Sequence, residues 1–197
     1  MSRRYELKER AARQAETRRR IVEATSALHA EVGPARTTIA DVARRAGVGR
    51  VTVYNHFPDE AELLGACSAH FVATAPPPDP SGWAAERDPD ARLRAALAEV
   101  YAYYRANAAM IGNVARDAAI VPALAEVLER GGAAEHAAAM RDALLAGRGL
   151  RGARRRRVSA AIGLALAFPA WQALAADGLD DGEAVDLMAR AVAAAAA

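Results

Sequence analysis

The segment Thr38–Phe57 limits what this chain can fold into more than any other stretch. Ile39, Val42, Ala43 and Ala46 recur at helical spacing, and Thr38 with Asp41 three residues on forms a capping pair at the start of that run. Gly47-Val48-Gly49 then breaks the helix, and a second short helix is expected from about Arg50 to His56. Ala43 is small enough for the two helices to cross closely, while Val48 and Val53 fill the space between them. The pattern is a helix, a glycine turn and a helix: a helix-turn-helix unit whose second helix is free to enter a major groove about 12 Å wide.

The rest of the chain reads as helix too. Alanine, the best intrinsic helix former, dominates the 197 residues, and runs of period two are hard to find. The expected fold is all-α with about nine helices. A first helix is expected from Glu16 to Glu31, with Ile21, Ala24, Leu28 and Val32 on one face and Gly33-Pro34 ending it. Asp59 with Glu62 caps a helix through Leu63, Leu64, Cys67 and Phe71. Ala75 to Gly82 is proline-rich and reads as a non-helical connector. Asp88-Pro89 restarts a helix whose inner stripe is Leu93, Leu97, Val100, Tyr101 and Tyr104. Short helices are expected at 107–118, 121–130 and 133–146, then two long ones at 154–176, kinked at Pro169, and 181–195, capped by Asp180 and Glu183. The last carries Ala184, Leu187, Met188, Ala191 and Ala195 as an apolar face. The expected division is a basic arm and helix-turn-helix domain over 1–60 and a helical body over 61–197, with the Pro-rich connector at 75–88.

Charge is uneven. Residues 1–20 carry eight basic side chains against three acidic, a net of +5, whereas the whole chain carries +2. A basic arm before a near-neutral body fits nucleic-acid binding, and it equally fits a solvated tail.

Thr17 to Phe71 resembles the DNA-binding domain of the TetR/AcrR family of bacterial transcriptional regulators. The resemblance rests on Thr37-Thr38, Ile39-Ala40-Asp41-Val42-Ala43, Ala46-Gly47-Val48, Thr52-Val53-Tyr54-Asn55-His56-Phe57 and Leu63-Leu64. It implies a homodimer on a palindromic operator, with Thr38, Arg50, Val51, Thr52, Tyr54 and His56 facing double-stranded DNA. Arg50 has the chemistry to read guanine and Val51 to touch a thymine methyl, while Thr38, Thr52, Tyr54 and His56 suit phosphates. Val53 and Phe57 are expected in the core. Three positions depart from the pattern: Gly49 stands where the family often has a capping serine, Glu60 where it often has lysine, and His29 where an aromatic is usual. The arm before Arg18 can compensate for the missing phosphate contact at Glu60, for instance by reaching into the minor groove.

The body shows no motif of comparable strength. Its length and helix count suit the family's ligand-binding and dimerisation domain, which implies a dimer interface through helices 154–176 and 181–195 and a small-molecule effector. Tyr101, Tyr104, Met110, Asn113, Met140, Phe168 and Trp171 are the candidate lining of an effector pocket, and ordinary core packing accounts for them equally. Arg154 to Arg157, with Arg148 and Arg151 before them, form a second basic cluster, read as a solvated first turn or as a second contact surface.

Catalysis finds little support. His29, His56, His70 and His136 are scattered, and Cys67 with His70 lacks a third ligand. Gly-rich phosphate loops, nucleophile elbows and paired-histidine metal motifs are absent from the sequence, so neither a metal nor a cofactor is expected. The single cysteine and the lack of a membrane-length apolar run fit a cytoplasmic protein. The expected function is a dimeric repressor released from its operator by a small molecule. An activator, and a helical enzyme or interaction module without sequence-specific DNA binding, are the alternatives.

Overall fold

The computed structural model describes residues 3–197, and only the backbone of Arg3 and Arg4. The described residues form ten α-helices, two short 3-10 turns and no strand. The helices are α1 (Arg3–Glu31), α2 (Ile39–Ala46), α3 (Arg50–His56), α4 (Glu60–Thr74), α5 (Pro89–Ala118), α6 (Pro122–Arg130), α7 (Ala133–Leu145), α8 (Gly152–Ala165), α9 (Phe168–Ala176) and α10 (Asp181–Ala196).

Four boundaries differ from the sequence expectation. Helix α1 starts at Arg3, not Glu16. Its N-terminal turns bury no apolar stripe, so periodicity is silent there; helix-favouring Ala, Arg and Glu carry the helix on propensity, and further along Arg19 pairs with Glu16 and Glu23 at 2.6 and 2.5 Å. The proline-rich connector is not wholly irregular: Pro80–Ala85 is a 3-10 turn opened by Asp79, whose carboxylate accepts the Ser81 N–H at 2.9 Å. The separate helix expected at 107–118 is the second half of α5, joined through a kink at Asn107 (φ −120°, ψ 15°). The long helix expected at 154–176 is two helices, α8 and α9, meeting at 59°. Pro169 explains the break. It lacks an N–H and its ring excludes the carbonyl of residue 165, so it sits in the first turn of a new helix after an extended Ala167.

The chain forms two compact units, Met1–Pro76 with Ala109–Gly131, and Pro77–Ala108 with Gly132–Ala197. The first takes in α4, the end of α5 and α6.

In the first unit, Ile21, Val22 and Ala24 of α1 pack with Val42, Ala43 and Ala46 of α2, Val53 of α3, Phe57, and Leu63 and Cys67 of α4. A smaller cluster joins Leu64 to Leu124 and Val127 of α6. The turn after α1 is held by the end of α5. Asn113 donates from its carboxamide to the carbonyls of His29 (3.0 Å) and Ala30 (2.9 Å), and the buried Asp117 carboxylate accepts the Ala35 N–H at 2.9 Å. Gly33 is required here: its φ is +93°, and a Cβ would collide with the Arg116 guanidinium and the Asp117 carboxylate.

In the second unit, Leu93, Leu97, Val100 and Tyr101 of α5, Val158 and Ile162 of α8, and Met188 and Val192 of α10 are each buried. Asp180 and Glu183 close a reciprocal capping box on α10. The apolar stripe read for α10 is only partly inward. Ala184, Val185, Met188, Ala189 and Val192 are buried, whereas Leu187 and Ala191 face solvent.

Candidate nucleic-acid interface

Helix α2 opens on Thr38, whose hydroxyl accepts the Asp41 N–H at 3.2 Å and donates to the Asp41 carboxylate at 2.6 Å. That hydrogen bond, ahead of the nearby Arg44 guanidinium, holds the Asp41 carboxyl below its ordinary range. The helix closes as a Schellman motif: Val48 N–H donates to the Ala43 carbonyl at 3.0 Å and Gly47 N–H to that of Arg44 at 3.3 Å. Gly47 has φ +66°, a left-handed conformation that a side chain resists. Arg20 of α1 clasps the same turn, donating to the carbonyls of Ala46 and Gly47.

This turn aims α3. Gly49 starts it in an extended conformation without a side-chain cap, matching the departure noted in the sequence. Val53 is 0% exposed and Phe57 2%, so both are core as expected. The Arg18 guanidinium lies 4.4 Å from the centroid of the Phe57 ring, fixing the end of α3 to α1. With that face anchored, the opposite face carries Arg50, Val51, Tyr54 and Asn55 into solvent. Val51 is 72% exposed and Tyr54 55%, apolar surface for which the unit's own packing gives no use. Thr52 and His56 lie half-buried at its edges, and Thr38 is exposed at the start of α2. Asn55, one turn beyond Val51 on the same side, is exposed as well, and its carboxamide has the chemistry to pair with adenine N6 and N7. Glu60 is exposed in the first turn of α4.

The other departure, His29, is buried on α1. Burial outweighs the attraction of Asp117 and pushes its imidazole down to about 4, so it is neutral at neutral pH. Cys67 is buried as well, its thiol pushed up to about 12 by burial, which makes it inert packing. Among the described residues no three His, Cys, Asp or Glu side chains converge as metal ligands.

The candidate effector residues fall into both units. Tyr101, Tyr104, Phe168 and Trp171 come together in the second: Tyr104 meets Phe168 edge-on at 5.3 Å between centroids and Trp171 at 5.8 Å. The hydroxyls are committed, Tyr101 donating to the Ala165 carbonyl at 2.9 Å and Tyr104 to that of Leu166 at 2.6 Å. These carbonyls are freed by the α8–α9 break, so the tyrosines cap it. The Trp171 indole donates to Asp181 at 3.0 Å. Met140 is buried on α7. Met110 is half-buried in the first unit, and Asn113 there is engaged with α1.

Residues 21–67 match the model of the bacterial regulatory proteins of the tetR family. Over 51 residues the chain is 49% identical to the HTH-type transcriptional regulator TtgR of Pseudomonas putida, an alignment of 26% of this chain and 24% of that protein. The chain thus spans about a quarter of the length of the curated relatives it matches. Over nearly the whole chain its fold is similar to that of NalD, described as the secondary repressor of the MexAB-OprM multidrug efflux pump in Pseudomonas aeruginosa (TM-score 0.62, 20% identity, 92% of this chain and 96% of that one). A transcriptional regulator from Rhodococcus sp. Rha1 is similar in fold too (TM-score 0.57, 24% identity, 89% and 95%).

Proposed function

We propose that this chain, which through residues 21–67 belongs to the tetR family of bacterial regulatory proteins, represses transcription as a homodimer bound to a palindromic operator. The observation that carries the reading is α3 itself, a helix anchored by Val53 and Phe57 that turns Arg50, Val51, Tyr54 and Asn55 outward together. In this reading Arg50 donates both arms to guanine O6 and N7 and Val51 packs on a thymine methyl. Thr38, Thr52, Tyr54 and His56 contact phosphates, which set the register of α3 in the groove.

Dimerisation is assigned to α8, α9 and α10. Leu164 on α8 is 58% exposed and Leu187 on α10 40%, large apolar side chains that their own unit leaves uncovered. Two such faces meeting across a two-fold axis bury them mutually. Two copies of α3 then address half-sites one helical turn apart. The effector is assigned to the second unit, among Tyr101, Tyr104, Met140, Phe168 and Trp171. It releases DNA by binding more tightly to the protein arrangement that does not fit the operator.

Selection of random duplex DNA by the purified protein at about 150 mM salt, where nonspecific phosphate binding is suppressed, tests the reading. An enriched palindrome that is lost with Arg50→Ala is expected. Absence of enrichment, or enrichment indifferent to Arg50→Ala, overturns it.

A further inference from the structure

The run Arg154–Arg157 divides in two by what its side chains do. Arg154 and Arg157 turn to the end of α10, donating to the carbonyls of Ala196 and Ala195, where a helix C-terminus welcomes a cation. Arg155 and Arg156 instead line a groove of about 520 Å³ between α7 and α8, with Arg141, Ser159, Ala160 and Gly163. That volume lies in the range of small-molecule clefts, roughly 300–1,000 Å³. The floor is low because α8 presents serine, alanine and glycine there. The Arg141 guanidinium lies close over α8 at Gly163, where an added Cβ would stand 3.3 Å from its Nε.

Three arginines thus line one groove, and among the described residues none of them is in an ion pair with a carboxylate. Elsewhere in the same chain arginines do find acids, as Arg105 finds Asp181 and Arg148 finds Asp90. Like charges gathered without a counter-charge repel one another, and Arg155 also sits in the first turn of α8, at the positive end of the helix dipole. An oxyanion relieves both costs. The planar forks of arginine match carboxylate and phosphate oxygens, and the Ser159 hydroxyl is a further donor.

We infer that the α7–α8 groove is a binding site for a small molecule bearing carboxylate or phosphate groups, held by Arg141, Arg155 and Arg156. The site is separate from the aromatic cluster assigned to the effector and needs no DNA to be tested. Isothermal titration of the full chain with citrate and, separately, with inorganic phosphate, at a fixed ionic strength of about 0.1 M, measures it directly. Saturable binding of either probe at one site per chain is expected. Arg156→Gln and Arg141→Gln are each expected to weaken it about tenfold or more, while Arg87→Gln on an exposed loop leaves it unchanged. The citrate and phosphate arms distinguish a polycarboxylate ligand from a phosphate ester. No saturable heat with either probe, or binding that survives Arg141→Gln and Arg156→Gln alike, overturns the inference. Because all three arginines are exposed, the variants are expected to melt with the parent, and a circular-dichroism melt separates lost binding from lost folding. An operator selection that fails while anion binding persists counts against the repressor reading alone.

Discussion

Asp117 accepts the backbone N–H of Ala35 at 2.9 Å across 82 residues of sequence. The carboxylate is buried, and the adjacent Arg116 guanidinium, at 2.7 Å, holds it below its ordinary range. The bond fixes the turn between α1 and α2 and so the start of the helix-turn-helix. Asp117→Ala leaves the Ala35 N–H without its partner and is expected to destabilise the first unit by about 1–3 kcal/mol. The check is urea unfolding followed by circular dichroism. A variant as stable as the parent removes this bond from the account of the fold.

His29 makes stability depend on pH. Its imidazole titrates near 4 in the folded chain against 6.5 when free, so below pH 6.5 the unfolded chain binds the proton first. The contribution is intact above pH 6.5 and lost as pH falls toward 4, by about 3 kcal/mol in all. Denaturant midpoints measured from pH 8 to pH 4 are expected to fall less steeply in His29→Phe, which keeps a ring in the buried site and removes the titrating group. Parallel curves for the two proteins count against a buried neutral imidazole.

The two glycines of the turn are expected to respond oppositely. Gly47→Ala forces a left-handed residue, costing about 1–2 kcal/mol, and pushes on Arg20, whose Nη2 is 2.7 Å from the new Cβ. Gly49 has φ −77° and room for a side chain, the nearest atom to an added Cβ being Thr52 Oγ1 at 3.8 Å. Gly49→Ser therefore gains a side-chain cap worth a few tenths of a kcal/mol. Thermal melts of the pair should move in opposite directions; a shift of the same sign in both contradicts the geometry described for the turn.

Tyr101 separates capping from ligand contact. Tyr101→Phe keeps the ring and leaves the Ala165 carbonyl unpaired at the α8–α9 break, an expected loss of about 1–2 kcal/mol. Guanidinium unfolding of the variant measures it. An unchanged midpoint means that the hydroxyl does not hold the break.

The features legible in the sequence are those decided within a few residues. Thr38 with Asp41, Asp59 with Glu62 and Asp180 with Glu183 all cap the helices expected of them. Gly47 turns the chain, and Val53 and Phe57 are buried while Arg50, Val51 and Tyr54 face out. Capping, turn conformation and helical periodicity are local, so the helix-turn-helix frame could be read from the sequence, while the choice of outward-facing side chains on α3 rested on the family resemblance.

What tertiary structure decided is where distant polar groups find partners. The sequence shows Arg116-Asp117 as adjacent charges; the fold makes Asp117 the acceptor for a turn formed far upstream. Tyr101 and Tyr104 read as pocket lining, yet their hydroxyls close the carbonyls opened by Pro169. Four consecutive arginines look equivalent until α10 draws away two of them and leaves two to the groove beside Arg141. A hydrogen bond or ion pair between remote residues is worth little in an unfolded chain and depends on sub-ångström placement once folded. No local pattern encodes that placement, so it emerges only when the helices have packed.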